Sequence, residues 1–90
     1  MVKEEAVIQF ILDWLSSNKK IADNDTARQK VCDFSLRVFL DFLDVLDLFM
    51  VIEERYCINL EEIIGHDSIP DYKNITPAGL AKAVARESNE

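Results

Sequence analysis

Glycine and proline, the residues that most often interrupt regular structure, occur only twice each in the 90 residues of this chain. An all-β sandwich or barrel places turn residues about every 8–12 positions, so their scarcity excludes that class and favours helices. Hydrophobic residues make up 49% of the sequence, which is enough to bury a core and argues against a disordered segment. A chain of this length has room for one core only. We therefore expect a single helical domain over residues 1–90.

Cysteine content and hydropathy exclude further classes of protein. Cys32 and Cys57 are too few for a disulfide scaffold, and with the single His66 they lack the spacing of a zinc site. No stretch reaches the roughly 18 apolar residues of a membrane span, and no basic segment precedes an apolar one as in an export signal. The sequence therefore predicts a cytoplasmic protein without a membrane partner.

The net charge of −7 is distributed unevenly along the chain. Residues 1–37 hold six acids and six bases, whereas residues 38–64 hold seven acids and one base. A net negative chain is a poor ligand for nucleic acid, because phosphates must be neutralised by cations. The simplest interpretation of the acidic segment is a solvated helix face. Its concentration favours a docking surface for a basic protein, because clustered charge steers encounter and selects partners.

Apolar residues spaced three and four positions apart predict three main helices and one short one. The first covers residues 3–17, the second residues 41–56 and the short third residues 61–64. The last begins with Thr76 as cap and Pro77 in its first turn, which is a favoured pairing. Residues after Arg86 are expected to fray. The predicted architecture is an all-α bundle of four helices.

A long connection, residues 21–40, separates the first two main helices. We expect a short helical segment within it, beginning at Asp25 or Thr26 and ending at Cys32. The later part of the connection is rich in apolar side chains, so the connection is expected to pack on the bundle. These side chains are Phe34, Leu36, Val38 and Phe39.

The second main helix carries most of the segment's acidic residues on one side. At roughly 100° per residue, four carboxylates fall within an arc of about 140°. They are Asp41, Asp44, Asp47 and Glu54. Asp41 is suited to cap the helix, and its charge suits the helix dipole. The rest of the helix surface is assigned to apolar residues, which are Leu43, Leu46, Phe49, Met50 and Ile52.

This helix resembles helix two of the acyl carrier protein family. Members of that family begin the helix with an Asp-Ser-Leu-Asp/Glu motif, and here residues 41–44 read Asp-Phe-Leu-Asp. Residues 52–56, Ile-Glu-Glu-Arg-Tyr, are similar to the family's helix end, and Leu60 to its short link. Phe34 stands where the family has a loop phenylalanine, and residues 74–76 look like the start of its last helix. The resemblance covers most of the chain, although the segment between residues 60 and 75 is longer than in a typical member.

The family's attachment serine corresponds to Phe42 in this chain. In the family that serine receives 4′-phosphopantetheine, because its hydroxyl oxygen attacks the coenzyme A pyrophosphate, and a phenyl ring offers no such oxygen. By resemblance the cofactor is therefore expected for the family and absent from this chain as it stands. In the first turn of a helix, a phenylalanine at this position has the simpler interpretation of closing the end of the core.

Four explanations for Phe42 stay open on the sequence alone. The chain is a degenerate carrier kept for protein binding, or Phe42 reflects a single-base change from serine. Alternatively, Ser35 supplies the hydroxyl from seven residues upstream, or the acidic amphipathic helix belongs to an unrelated bundle.

The resemblance implies a carrier-like domain that docks to enzymes of fatty-acid, lipid or polyketide type. The expected contacts are basic surfaces of a synthase, transferase or ligase, met by five carboxylates. These are Asp41, Asp44, Asp47, Glu53 and Glu54. No catalytic constellation is present in the sequence, since the adjacent types in His66-Asp67-Ser68 do not create triad geometry. We expect a monomer that is not an enzyme, and the alternative is a non-carrier adaptor or subunit on the same fold.

Overall fold

Four α-helices and no β-strand make up the residues that the computed structural model describes, which are 2–38, 40–60 and 75–89. The helices are α1 (Glu4–Ser17), α2 (Asp25–Val31), α3 (Phe42–Tyr56) and α4 (Pro77–Ser88), with a 3-10 turn at Leu36–Val38. The prediction of an all-α chain is confirmed for this part of the molecule. The predicted short helix at 61–64 lies outside the described residues.

Local side-chain chemistry sets where three of these helices begin. Helix α2 begins at Asp25, one of the two predicted starts. Its cap is Asn24, whose side chain accepts the Ala27 N–H at 2.9 Å. The Thr76 hydroxyl accepts the Gly79 N–H at 3.0 Å, and Pro77 follows as the first residue of α4. Asp41 caps α3 as predicted. These caps satisfy backbone donors that the first turn of a helix leaves without partners.

The core is built where α1 packs against α4, and the buried side chains of α3 belong to the same cluster. The buried side chains of α1 follow the predicted stripe, at Val7, Ile11, Leu12 and Leu15. Those of α4 are Pro77, Leu80, Ala81, Val84 and Ala85. Phe10 lies at the edge of this core and meets Tyr56 of α3 edge to face, with ring centroids 5.7 Å apart.

The predicted fraying after Arg86 is wrong, because α4 continues to Ser88. Asn89 then joins the two ends of the chain. Its Oδ1 accepts the Val2 N–H and its Nδ2 donates to the Val2 carbonyl, both at 2.8 Å. This pair of hydrogen bonds ties the end of α4 to the residue that leads into α1. The last turn is therefore held by a contact that local propensity does not encode.

Helix α3 carries two apolar sides rather than one. Val45, Leu48, Phe49 and Ile52 are buried and form its inner line, defined here by these four residues. The other apolar residues of the helix face solvent. The exposed fraction is 68% for Leu43, 41% for Leu46 and 65% for Met50. A helix of this diameter buries only one stripe against a small core, and the inner line already fills it.

The connection that leads into α3 packs on the core only in part. Leu36 is fully buried, and its N–H donates to the Ile75 carbonyl at 2.9 Å, which anchors the 3-10 turn next to the start of α4. Leu36 and Leu40 carry the predicted packing of the connection, whereas Phe34 is 48% exposed and Val38 is 68% exposed. Phe39 lies outside the described residues.

Two leucines of α3 provide a matched test of this orientation. Leu48→Ala removes a fully buried side chain and should lower the free energy of unfolding by about 2–5 kcal/mol. Leu43→Ala, five residues earlier on the exposed side, should change it by no more than about 0.5 kcal/mol. Urea unfolding of the two variants measures both values. A similar loss in each would show that α3 is rotated differently from the structure.

Candidate docking surface on α3

The side of α3 that points away from the core is a line of alternating apolar and acidic residues. Leu43, Asp47, Met50 and Glu54 are spaced at i, i+4, i+7 and i+11. At roughly 100° per residue they fall within an arc of about 60°, on the opposite side of the helix from the inner line. All four side chains are exposed. We call these four residues the outer stripe.

Exposed large apolar side chains are concentrated in one stretch of the described sequence. In the described part of the chain, every large hydrophobic residue classed as exposed lies between positions 34 and 50. They are Phe34, Val38, Leu43, Leu46 and Met50. Single exposed hydrophobic residues are ordinary, but a group of them bordered by charges is typical of an interaction surface. The outer stripe is therefore the surface of this protein best suited to bind another molecule.

Two of the five predicted docking carboxylates hold the start of α3. Asp41 Oδ1 accepts a hydrogen bond from the Asp44 N–H at 2.9 Å. In return, Asp44 Oδ2 accepts one from the Asp41 N–H at 3.4 Å. The two side chains form a reciprocal capping box, with aspartate in the place usually taken by glutamate or glutamine. These two carboxylates, both predicted from the sequence to bind a partner, thus accept hydrogen bonds from the backbone of α3.

Asp44 has a further partner outside its own helix. The ammonium group of Lys20 lies 3.0 Å from Asp44 Oδ2, and both side chains are mostly covered, with 29% and 24% exposed. Lys20 holds the pKa of Asp44 below its usual value, with a smaller contribution from the Asp41 N–H. The contact joins the connection after α1 to the first turn of α3. It is not visible in the sequence, where the two residues are far apart.

Glu53 also has a structural role, at the other end of the helix. One of its carboxylate oxygens accepts the Leu60 N–H at 3.1 Å. Its carbonyl accepts the N–H of Cys57, a residue in the left-handed conformation with a φ of 55° that ends α3. Glu53 therefore holds the link 57–60 against the helix, and buried Leu60 completes the core below it.

Asp47 and Glu54 are the two predicted carboxylates left for a partner. Both are exposed, and neither has an ion pair or hydrogen-bonding side-chain partner within residues 2–38, 40–60 and 75–89. They also belong to the outer stripe, next to Leu43 and Met50. The angular arithmetic that grouped the carboxylates also places Leu43 and Met50 directly beside Asp47 and Glu54, so this signal was available in the sequence.

Position 42, at the family's attachment site, is the first residue of α3 and follows the cap Asp41. The chemistry of the residue does not fit phosphopantetheine, because phenylalanine has no oxygen to form the phosphodiester. Ser35, the other candidate hydroxyl, is partly buried and directly precedes the 3-10 turn. Its carbonyl accepts the Val38 N–H at 3.0 Å. Phe42 as it stands therefore offers no atom for the attachment.

An open cavity of about 470 Å³ lies between α1 and α2. Arg28 forms one wall and is already paired with Asp13, Asp23 and the Gln9 side-chain oxygen. Cys32 lies in the same cavity, where partial burial raises the pKa of its thiol and so disfavours the reactive thiolate. The polar groups of this cavity fasten α2 to α1.

Within the described ranges, no three His, Cys, Asp or Glu side chains lie together as a metal site requires. The same part of the chain contains no helix with the length and apolar composition needed to cross a membrane. Comparison of the chain with models of protein families, with characterised proteins and with solved structures finds no match. The resemblance to acyl carrier proteins therefore rests on the residues of α3 and its flanks.

The contact between Lys20 and Asp44 predicts a pH dependence of stability. Because the pKa of Asp44 is lower in the folded state, its carboxylate stabilises the fold above the ordinary aspartate pKa of about 3.9. This stabilisation is lost as pH falls through the lower, folded-state value. Asp44→Asn and Lys20→Gln should therefore flatten the acid side of the stability curve.

Urea unfolding from about pH 6 to about pH 2 measures this slope. Lys19→Gln serves as the control, since it removes the same charge from the neighbouring residue, which makes no ion pair with a described residue. An acid slope equal to that of the wild type in both Asp44→Asn and Lys20→Gln would contradict the prediction.

Proposed function

We propose that this protein is an acyl carrier protein-like docking domain that binds carrier-processing enzymes through the outer stripe of α3. The observation that carries the proposal is the alternation of exposed apolar and acidic side chains opposite the inner line. Helix α3 begins after its cap Asp41 and ends at Tyr56, the two ends of the stretch that resembles helix two of the family. This agreement supports an acyl-carrier-like arrangement of the bundle.

The two kinds of side chain in the outer stripe do different work in binding. Leu43 and Met50 are about two-thirds exposed, and burying a large apolar side chain stabilises a complex by roughly 1.5–3 kcal/mol. Asp47 and Glu54 contribute less to affinity, but their charge speeds encounter with a basic surface and rejects an acidic one. The partner that fits is an apolar depression bordered by Lys or Arg side chains, as on a synthase, transferase or ligase.

Docking does not require that the chain carry a substrate. Phe42 leaves the position of the family serine without a nucleophile, whereas the outer stripe does not include it. This combination favours the alternative within the same class, a non-carrier subunit or adaptor that occupies a carrier-binding surface. The proposed activity is therefore binding to a partner enzyme, with no thioester formed on this chain at position 42.

Charge reversal on the outer stripe tests the docking proposal. A chain with Asp47→Lys and Glu54→Lys should bind a broad-specificity phosphopantetheinyl transferase roughly tenfold more weakly at low salt, through loss of attraction and added repulsion. Glu5→Lys combined with Glu4→Lys makes the same change of charge on α1, where both residues are exposed. Titration calorimetry at two salt concentrations gives the affinities. Equal weakening by the two double variants would mean that net charge, and not this surface, governs binding.

Restoring the hydroxyl separates a carrier scaffold from an unrelated bundle. Incubation with coenzyme A and the same transferase should leave the wild-type mass unchanged, since Phe42 cannot be esterified. Phe42→Ser should gain the mass of one phosphopantetheine group, and intact-mass spectrometry reads both results. A gain on the wild-type chain would overturn the assignment of an uncharged protein. The absence of a gain on Phe42→Ser would argue against the carrier-like scaffold.

A further inference from the structure

The end of α1 directs Lys20 towards α3 through a set of local hydrogen bonds. The Asn18 side chain and N–H both donate to the Trp14 carbonyl, at 2.8 and 3.0 Å. Lys19 then adopts a left-handed conformation with a φ of 60°, and the Lys20 N–H donates to the Leu15 carbonyl at 2.9 Å. These contacts fix the backbone at Lys20, and its ammonium group lies 3.0 Å from Asp44 in the first turn of α3.

Lys20 pairs with Asp44, the carboxylate that lies about one turn before Asp47 on α3. Asp44 is three residues before Asp47, and the two lie about 60° apart around the helix. The Lys20 ammonium group contacts Asp44 at 3.0 Å, and the Asp44 side chain is only 24% exposed. A partner's cation must displace Lys20 before it can pair with Asp44. Breaking the partly covered Lys20–Asp44 ion pair costs more free energy than a new, solvent-exposed ion pair between Asp44 and the partner would provide.

We propose that Lys20 is a specificity residue that sets which end of the outer stripe receives the partner's positive charge. This inference rests on the proposed docking function. Lys20 withdraws Asp44 from the surface and adds a positive charge at the N-terminal end of α3. The free carboxylates of Asp47 and Glu54 are seven residues apart, or about 10 Å along the helix.

The partner that fits this pattern has a defined charge polarity. It presents two cationic groups about 10 Å apart, opposite Asp47 and Glu54. Opposite Lys20 it presents an uncharged or acidic group, because a third cation there would be repelled. The ammonium group of Lys20 has two further N–H bonds beyond the one used by Asp44, and neither has an acceptor among the described residues, so both can donate to the partner. Lys20 thus weakens binding to a uniformly basic ligand and keeps its cations away from Asp44.

The test uses tetralysine peptide as a simple cationic probe, with the folded full chain followed by NMR. In the wild type, the peptide should shift the carboxyl resonances of Asp47 and Glu54 and leave those of Asp44 nearly unchanged. In Lys20→Gln, Asp44 should shift as much as Asp47, and the peptide should bind about two- to fivefold more tightly. Lys20→Arg, which keeps the ion pair, should behave as the wild type. Lys19→Gln removes the same charge next door and should keep the wild-type pattern of shifts.

Three outcomes would overturn the role of Lys20. These are an Asp44 shift equal to that of Asp47 in the wild type, an unmoved Asp44 in Lys20→Gln, and peptide binding away from Asp47 and Glu54 in the wild type. The docking function fails separately, if the transferase binds the wild type no better than its charge-reversed variant. The peptide map would then still report whether Lys20 directs cations along α3.

Discussion

The rotation of α3 about its own axis depends on the burial of its inner line, and the character of the outer surface follows from that rotation. Val45, Leu48, Phe49 and Ile52 are all buried in the common core cluster. Exposing two of these side chains by turning the helix would cost several kcal/mol, at roughly 1.5–3 kcal/mol for each. Asp41 fixes the first turn by its capping box, so the helix is held in phase from its first residue. The outer stripe is the necessary consequence, because the residues opposite the inner line have no core to enter.

The outer stripe combines two requirements that compete in a small soluble domain. Exposed Leu43 and Met50 provide area for a partner, but a continuous apolar strip would also favour self-association. Asp47 and Glu54 interrupt the strip at every helical turn or two. Like charges repel when two copies of the stripe approach each other, while a basic surface is attracted. The alternation therefore supports binding to a partner of opposite charge more than binding to a second copy.

The acidic character of the central segment divides into structural and free charge. Asp41 and Asp44 satisfy backbone donors at the start of α3, and Glu53 does so for the link at its end. Lys20 partly compensates the first of these groups. Asp47 and Glu54 have no such role among the described residues. A net charge concentrated on one helix is thus a poor measure of its docking capacity, since more than half of the predicted carboxylates hold the fold.

The sequence alone determined the features that depend on neighbouring residues. These are the helical class, the extents of α1 and α3, the caps Asp41 and Thr76, and the acidic character of α3. Each arises within a few positions along the chain, through apolar spacing or a hydrogen bond from a side chain to the next turn. The resemblance at residues 41–44 adds the expectation of docking, and Phe42 removes the attachment chemistry from it.

Only the tertiary structure decided which apolar residues of α3 are buried and which carboxylates are free. Leu43 and Leu48 are chemically alike, and the core cluster that takes in Leu48 leaves Leu43 in solvent. The pairing of Lys20 with Asp44 and of Val2 with Asn89 joins residues that are distant in sequence. No local pattern encodes such contacts, because they form only when the core has fixed the relative positions of the helices.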